Sequence, residues 1–341
     1  MKNKKMMILA GAVLAVLFIG GAFALGRSKS NNTGDIKTES SAKEQTVTVG
    51  ILQFVSHPSL DKIRQGIEDG LAESGYQKGK NLKVEFQNGQ GDQSKLQTMS
   101  EQLVNKKADI FVGIATPAVQ ALANATSDTP IVLGAIADPV GQGFVDSLKK
   151  PGGMMTGVSN TVPIDQQMVL AKELLPDAKK MAILYASSED NVKPQVAEAQ
   201  KQAKKQGFTT QKFAVPSSNE ITQTIDVMDD IDFIYIPNDN VIANAMSTVV
   251  NTADKKEIPI IPSVDAMVEQ GGIATVGIDQ HELGVQTGKM TADILNGADP
   301  ATTPVFVYKK GTTYVNKKQA EKYNINLPEE IEEKAEFLGE D

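Results

Sequence analysis

The sequence has no cysteine among its 341 residues and only two histidines, His57 and His281. Without cysteine the chain can form no disulfide, no thiolate metal site and no cysteine nucleophile. Two histidines also argue against a multi-histidine metal centre. We therefore expect no bound metal and no cofactor.

Positive charge is scarcer than negative charge, with 34 lysines and arginines against 42 aspartates and glutamates and a formal net charge of −8 at pH 7. A nucleic-acid-binding protein normally presents a basic face to the phosphates. No nucleic-acid partner is therefore expected. At this length two domains are predicted, since one domain takes roughly 150 residues.

The amino terminus holds a long uncharged run. Residues 6–26 carry no charged side chain and follow three lysines within the first five residues. The run of 21 residues can span a bilayer, whereas A-F-A at 22–24 fits the pattern that a signal peptidase cleaves. We predict a cleaved signal or a retained membrane anchor, and an extracytoplasmic, cell-surface location for the rest. Residues 27–46 are almost entirely polar and are predicted to form a flexible tether.

From residue 47 onward, short apolar runs alternate with helical patterns. The run at 47–52 predicts a strand, and four apolar residues between 60 and 71 follow at helical spacing. Another strand is predicted at 108–115, with Pro117 in the first turn of the helix that follows it. This alternation predicts an α/β fold with parallel, doubly wound sheets.

The same pattern repeats in the second half of the chain. The stretch IDFIYIPNDNVIANAMSTVV, from residue 231, resembles ADIFVGIATPAVQALANAT, from residue 108. A further helix and short strands follow, which indicates that the chain crosses back between two lobes. We predict a first lobe of residues 47–157 plus about 278–303, a second lobe of residues 158–277 plus about 304–330, and a multi-strand hinge.

Ligands of doubly wound sheets bind outside the carboxyl ends of the strands. The predicted strand ends are rich in Ser, Thr, Asn and Asp and poor in bases and nucleophiles. The candidate ligand-binding residues at these ends are Gln53, Phe54, Ser56, Thr116, Pro117, Ala118, Asp138, Ser187, Ser188, Asn238, Asp239, Asn240 and Asp265. This composition indicates binding rather than catalysis, and no catalytic residue is predicted.

Some candidates admit both a structural and a binding interpretation. The helix start at residues 116–118 could direct free N–H groups at a ligand carboxylate, or serve only as a helix start. Asp239 could pair with a ligand ammonium or cap a helix. Asp138 could be only a turn residue. His57 could act as a base, but no motif pairs it with a nucleophile, so an enzyme is disfavoured.

Six stretches carry a family resemblance: VGILQFVSHPSLDKIRQGIEDGL, QNGQGDQSKLQTMSEQLV, ADIFVGIATPAVQALANAT, DPVGQGFVDSLKKPGGMMTGVS, YIPNDN and GGIATVGIDQHELGVQTGKM. Together they resemble the tryptophan and aromatic amino-acid substrate-binding proteins of ABC importers. The resemblance covers about residues 47–304 and implies a two-lobed, type I periplasmic-binding-protein fold. It also implies an aromatic amino acid, tryptophan or phenylalanine, bound in the cleft and delivered to an ABC permease with its ATPase. We expect a monomer.

The resemblance also implies roles for single residues. Phe54 would stack on the ligand ring, the helix start at residues 116–118 would hold the carboxylate, and Asp239 would take the α-amino group. The residues that complete the cleft from the second lobe would be Asn160, Ser187 and Ser188.

The chain departs from this family at two points. Gram-positive members are usually lipoproteins held by a lipidated cysteine, which is absent here, so anchoring by residues 6–26 is favoured over release. Asn160 stands where the family pattern has an aspartate. The alternative function is a ligand-sensing receptor domain of a membrane signalling system. A LacI-type repressor is disfavoured because the chain is acidic and no helix-turn-helix precedes Val47.

Overall fold

The structure is a computed structural model that describes residues 46–308 and 310–339, which belong to one compact unit. The predicted membrane segment at 6–26 and nearly all of the predicted tether lie outside these residues. Within the described ranges, no helix is both long and apolar enough to cross a membrane.

The strands of the described residues are short and mostly buried. In chain order they are β1 (Val47–Gln53), β2 (Leu82–Asn88), β3 (Ile110–Ile114), β4 (Ile131–Ile136), β5 (Met155–Ser159), β6 (Lys180–Ala186), β7 (Thr209–Val215), β8 (Phe233–Ile236), β9 (Ile260–Pro262), β10 (Ala274–Gly277), β11 (Phe306–Val307), β12 (Thr312–Val315) and β13 (Glu336–Phe337).

Helices separate most of these strands. They are α1 (Pro58–Glu73), α2 (Gln93–Asn105), α3 (Thr116–Ala125), α4 (Ile164–Leu174), α5 (Lys193–Lys205), α6 (Ile221–Asp226), α7 (Asn240–Asn244), α8 (Met246–Lys255), α9 (Asp265–Glu269), α10 (Gln280–Leu295), α11 (Lys317–Lys322) and α12 (Glu329–Lys334).

Two parallel sheets form the centres of two lobes. The first sheet has six strands in the order β11-β5-β4-β3-β1-β2, and the second has four in the order β7-β6-β8-β9, with every pairing parallel. Strand β3 is buried along its whole length, as expected for a parallel strand covered on both faces. The predicted α/β fold with doubly wound parallel sheets is confirmed.

The chain passes between the lobes more than once. It leaves the first sheet after β5, returns after β10 through α10 and β11, and leaves again to form β12, which pairs antiparallel with β10. The lobe boundaries predicted near residues 157, 278 and 304 stay a prediction. The first sheet includes β5, which ends at Ser159, and β11, which ends at Val307. The strand pairing therefore places the crossings predicted near residues 157 and 304 a few residues later in the sequence.

Helices α1 and α10 approach until backbone touches backbone. A Cβ added at Gly284 would overlap the carbonyl oxygen of Ile63 and lie 2.9 Å from the Cα of Gly66. A Cβ added at Gly66 would overlap the carbonyl oxygen of His281. Glycine is required at this contact because a side chain would force the closely packed helices apart. The contact joins α10, which follows the second sheet in sequence, to the first lobe.

Candidate functional site

The carboxyl ends of the two parallel sheets face each other across a cleft. Between them lies a small space of about 20 Å³, which we call the central void. Both lobes contribute to its lining, and amide side chains dominate it. Its polar residues are Thr116, Asn160, Asn191, Asn238, Asn240 and Gln280.

A larger cavity of about 460 Å³ opens at the edge of the same cleft, and we call it the mouth cavity. Its wall combines apolar and polar side chains, among them Phe54, Val55, Ser188, Glu189, Asn240 and Val241. Small-molecule sites typically measure roughly 300 to 1,000 Å³, so the mouth cavity is large enough for a ligand and the central void is not. Because Asn240 lines both spaces, they adjoin at this residue.

Side chains of the two lobes touch directly across the cleft. His57, after β1, places Nε2 3.3 Å from Oδ1 of Asn240, which begins α7 in the second lobe. Lys62 of α1 places Nζ 2.7 Å from a carboxylate oxygen of Glu269 in α9. These contacts define a closed conformation of the cleft.

Two amide oxygens in the central void have no hydrogen-bond partner among the described residues. Asn160 donates from Nδ2 to Gln280 at 3.2 Å, and Asn191 donates from Nδ2 to the carbonyl oxygen of Asn238 at 3.3 Å. Both Oδ1 atoms are buried and unpaired. A buried acceptor without a donor costs roughly 1 to 3 kcal/mol, so these oxygens are suited to accept from a ligand.

The helix start at residues 116–118 reaches the central void at one position. Thr116 lines the central void as the first residue of α3, where the leading N–H groups lack partners inside the helix. The N–H of Ala118 already donates to the carbonyl oxygen of Ala115 at 3.1 Å, and Pro117 has no N–H. Of the three predicted carboxylate-binding residues, only Thr116 can offer its own N–H to the void.

The loop after β1 has an apolar and a polar side. Phe54, only 3 % exposed, lines the mouth cavity. Gln53 donates from Nε2 to Asp61 at 2.8 Å, and Ser56 donates from Oγ to the same carboxylate at 2.6 Å. Gln53 and Ser56 therefore brace the loop against α1, while Phe54 faces the cavity.

Asp239 lies fully buried as the N-cap of α7. Its Oδ1 accepts from the N–H of Ile242 at 2.9 Å, and its Oδ2 accepts from the N–H of Ala186 at the end of β6. Burial raises the pKa of Asp239 to about 8, and the negative charge of Glu189 acts in the same direction. Both carboxylate oxygens of Asp239 therefore already accept from backbone N–H groups. Its predicted contact with a ligand ammonium stays a prediction.

Three other predicted residues lie away from both spaces. Asp138 accepts from the N–H of Gly141 at 2.9 Å in a turn and lines a further groove, which shares Ala137 and Asn191 with the central void. Ser187 is exposed and donates from Oγ to Val215 at 3.3 Å. Asp265 is buried at the start of α9, where burial raises its pKa to about 6.

The structure thus brings Thr116, Asn160, Asn238 and Asn240 together at the central void, and Phe54 and Ser188 at the mouth cavity. Sequence reasoning missed Glu189, Asn191 and Gln280. Glu189 and Asn191 stand within five residues of the end of β6, beside the two serines that were selected. Gln280 opens α10, and its place after the Gly277 strand end is the signal that could have identified it.

This arrangement is that of a type I periplasmic-binding-protein fold, in which two lobes enclose a ligand-sized cleft. Residues 48–337 match the family of ABC transporter substrate binding proteins, and the chain belongs to that family.

Three relatives are similar over most of the chain. The Tyrosine-binding protein of Clostridioides difficile (strain R20291) is 37% identical over 318 residues, covering 92% of this chain and 91% of the relative. A crystal structure of an ABC domain in complex with L-Trp from Streptococcus pneumonia is 51% identical, with a TM-score of 0.84 over 86% of this chain and all of that one. The ligand-free, open structure of a substrate binding protein with adhesive properties from Clostridium difficile is 35% identical, covers 86% and 99% of the two chains, and has a TM-score of 0.67.

Proposed function

We propose that the protein binds an aromatic amino acid in the interlobe cleft, outside the cytoplasmic membrane, and delivers it to an ABC permease. The observation that carries the proposal is the pairing of a polar central void with an adjoining mouth cavity of about 460 Å³ that has Phe54 in its wall. The similarity to a tyrosine-binding protein and to a domain in complex with L-Trp supports this ligand class.

The polar groups suit the two charged ends of an amino acid. A carboxylate would receive the N–H of Thr116 at the start of α3, where the helix dipole favours negative charge. An ammonium would donate to the unpaired oxygens of Asn160 and Asn191. Charge-assisted hydrogen bonds contribute roughly 1.5 to 3 kcal/mol each. Three of them therefore supply much of the roughly 8 kcal/mol that micromolar affinity requires.

The ring of the ligand would occupy the mouth cavity against Phe54. The central void is too small for a ring, whereas the mouth cavity adjoins it at Asn240. Delivery to a permease and attachment by residues 6–26 follow from the family and the amino-terminal pattern, and both belong to this proposal.

Isothermal titration calorimetry tests the ligand class. We expect L-Trp, L-Tyr or L-Phe to bind with a micromolar or lower dissociation constant, and L-Leu and L-Lys to bind at least tenfold more weakly. Protein unfolded, dialysed and refolded before titration removes any ligand carried through purification. Absence of heat with all three aromatic amino acids refutes the proposed ligand class.

The substitution Phe54→Ala tests the position of the ring. An aromatic pair contributes roughly 0.5 to 1.5 kcal/mol beyond its burial, so we expect about a fivefold loss of affinity for the aromatic ligand. Phe86→Ala is the matched control, because Phe86 is 41 % exposed on β2 and packs under Arg64 away from the cleft. Equal affinities for the two variants contradict stacking on Phe54.

A further inference from the structure

The contact between His57 and Asn240 is one end of a buried chain of hydrogen bonds. Asn240 donates from Nδ2 to Oε2 of Glu189 at 2.7 Å, and the N–H of Val241 donates to Oε1 of Glu189 at 2.8 Å. His57, Asn240 and Glu189 are all buried. This series of hydrogen bonds starts in the first lobe and ends in the second, so opening the cleft must break the contact between His57 and Asn240.

These hydrogen bonds fix the protonation state of His57. Since Asn240 directs Nδ2 at the carboxylate of Glu189, it directs Oδ1 at His57, and an amide oxygen can only accept. His57 therefore carries its proton on Nε2, which leaves Nδ1 as a lone-pair acceptor. That Nδ1 is buried and has no partner among the described residues. A second proton would place a charged N–H there with no acceptor.

We propose that His57, Asn240 and Glu189 form a latch that closes the cleft only while His57 is neutral, so that ligand affinity falls in acid. His57 is a positioning residue, because it acts through Asn240, which lines both the central void and the mouth cavity. The latch is measured through ligand binding and in that respect rests on the proposed function.

The charged groups around His57 act in different directions. Burial lowers the pKa of His57 to about 4 and outweighs both the hydrogen bond to Asn240 and the charge of Asp61, which favour a protonated His57. Glu189 and Asp239 lie behind Asn240 in the second lobe, and burial raises the pKa of both. Acid neutralises these two carboxylates and relieves their mutual repulsion within the second lobe, in the open and the closed cleft alike.

The pH window follows from the two states of His57. In the closed cleft the pKa of His57 is about 4. Opening the cleft separates His57 from Asn240 and admits water, so we expect its pKa there to return toward the ordinary value of 6.5. Protonation therefore favours the open state, and affinity is lost as the pH falls from 6.5 toward 4. These two pKa values give a loss of about 30-fold between pH 7.5 and pH 5.

Calorimetry of the full chain with L-Trp at pH 7.5 and pH 5.0 measures this loss. The variant His57→Gln keeps an uncharged N–H donor toward Asn240 but cannot titrate. We expect it to bind within about threefold of the wild type at pH 7.5 and to lack, at pH 5.0, the roughly 30-fold loss of affinity that the titration of His57 causes in the wild type. His281→Gln is the control, because His281 is partly exposed and contacts Asp69 on α1 rather than Asn240. We expect this variant to show the same loss of affinity between pH 7.5 and pH 5.0 as the wild type.

The quantity that decides is the difference in pH dependence between the wild type and His57→Gln. If the dissociation constants of the two proteins depend on pH equally, the latch is overturned. Any pH dependence that comes from Glu189 and Asp239 is present in both proteins and does not affect this comparison. If no aromatic amino acid binds at either pH, the proposed function fails. The latch is then tested on the ligand-free chain by small-angle X-ray scattering. A radius of gyration that rises in acid for the wild type and not for His57→Gln supports it, and an unchanged wild-type radius overturns it.

Discussion

Replacing Gly284 by alanine should lower the free energy of unfolding by about 3 kcal/mol. The added Cβ would overlap the carbonyl oxygen of Ile63 and crowd the Cα of Gly66. Both are backbone atoms of α1, so the strain cannot be relieved by turning a side chain. The better helix propensity of alanine, roughly 1 kcal/mol, offsets only part of this strain. Chemical denaturation followed by circular dichroism measures the difference.

Gly153→Ala is the matched control for this substitution. A Cβ at Gly153 meets no atom within 4 Å, and its backbone does not lie in the left-handed region. We expect the control to differ from the wild type by less than about 0.5 kcal/mol. A Gly284→Ala protein as stable as the control would show that α1 and α10 can separate without cost.

Replacing Asp239 by alanine should cost about 4 kcal/mol of stability at pH 6. The substitution removes the acceptors of two buried N–H groups, those of Ala186 and Ile242. Each buried donor left without an acceptor costs roughly 1 to 3 kcal/mol. Denaturant unfolding of the wild type and Asp239→Ala at the same pH measures the cost.

The cost should shrink by about 2 kcal/mol at pH 8. The pKa of Asp239 is raised to about 8 in the folded state and is near 3.9 in the unfolded chain, so the folded state binds the extra proton between these values. Its contribution to wild-type stability therefore falls as the pH rises toward 8, and the alanine variant lacks this dependence. His57 titrates in both proteins and cancels in the comparison. A cost that is constant from pH 6 to pH 8 contradicts a proton held by the buried pair of Asp239 and Glu189.

Local sequence patterns predicted the elements that position the site. Pro58 and Thr116 begin helices as expected, because proline and small polar residues suit first turns. The buried strands were visible as apolar runs, and their polar ends marked the edge of the sheet where the cleft lies. These signals depend only on residues that are close in sequence, so they can be recognised from the sequence alone.

The directions of polar side chains could not be read in the same way. Asp239 is compatible by sequence with a cap or a ligand contact, and the N–H of Ala186, more than fifty residues earlier, occupies one of its oxygens. Gln53 ends a core strand but turns to Asp61 rather than to the cleft. Glu189 belongs to the site because it accepts from Asn240 and Val241 of α7, and Asn191 because it lines the central void with residues of the first lobe. Such pairings are set by tertiary contacts, which spacing along the chain does not encode.

The glycine contact between α1 and α10 also bears on the order of folding. Asp69 and His281, which join these helices at 2.8 Å, are 212 residues apart in sequence. During synthesis the chain must therefore produce the four-stranded sheet of the second lobe before α10 can cover α1 of the first. Contacts this distant in sequence slow folding and leave apolar surface exposed meanwhile. A nascent chain ending before residue 280 should consequently stay aggregation-prone and depend on chaperones, even with most of its first sheet already made.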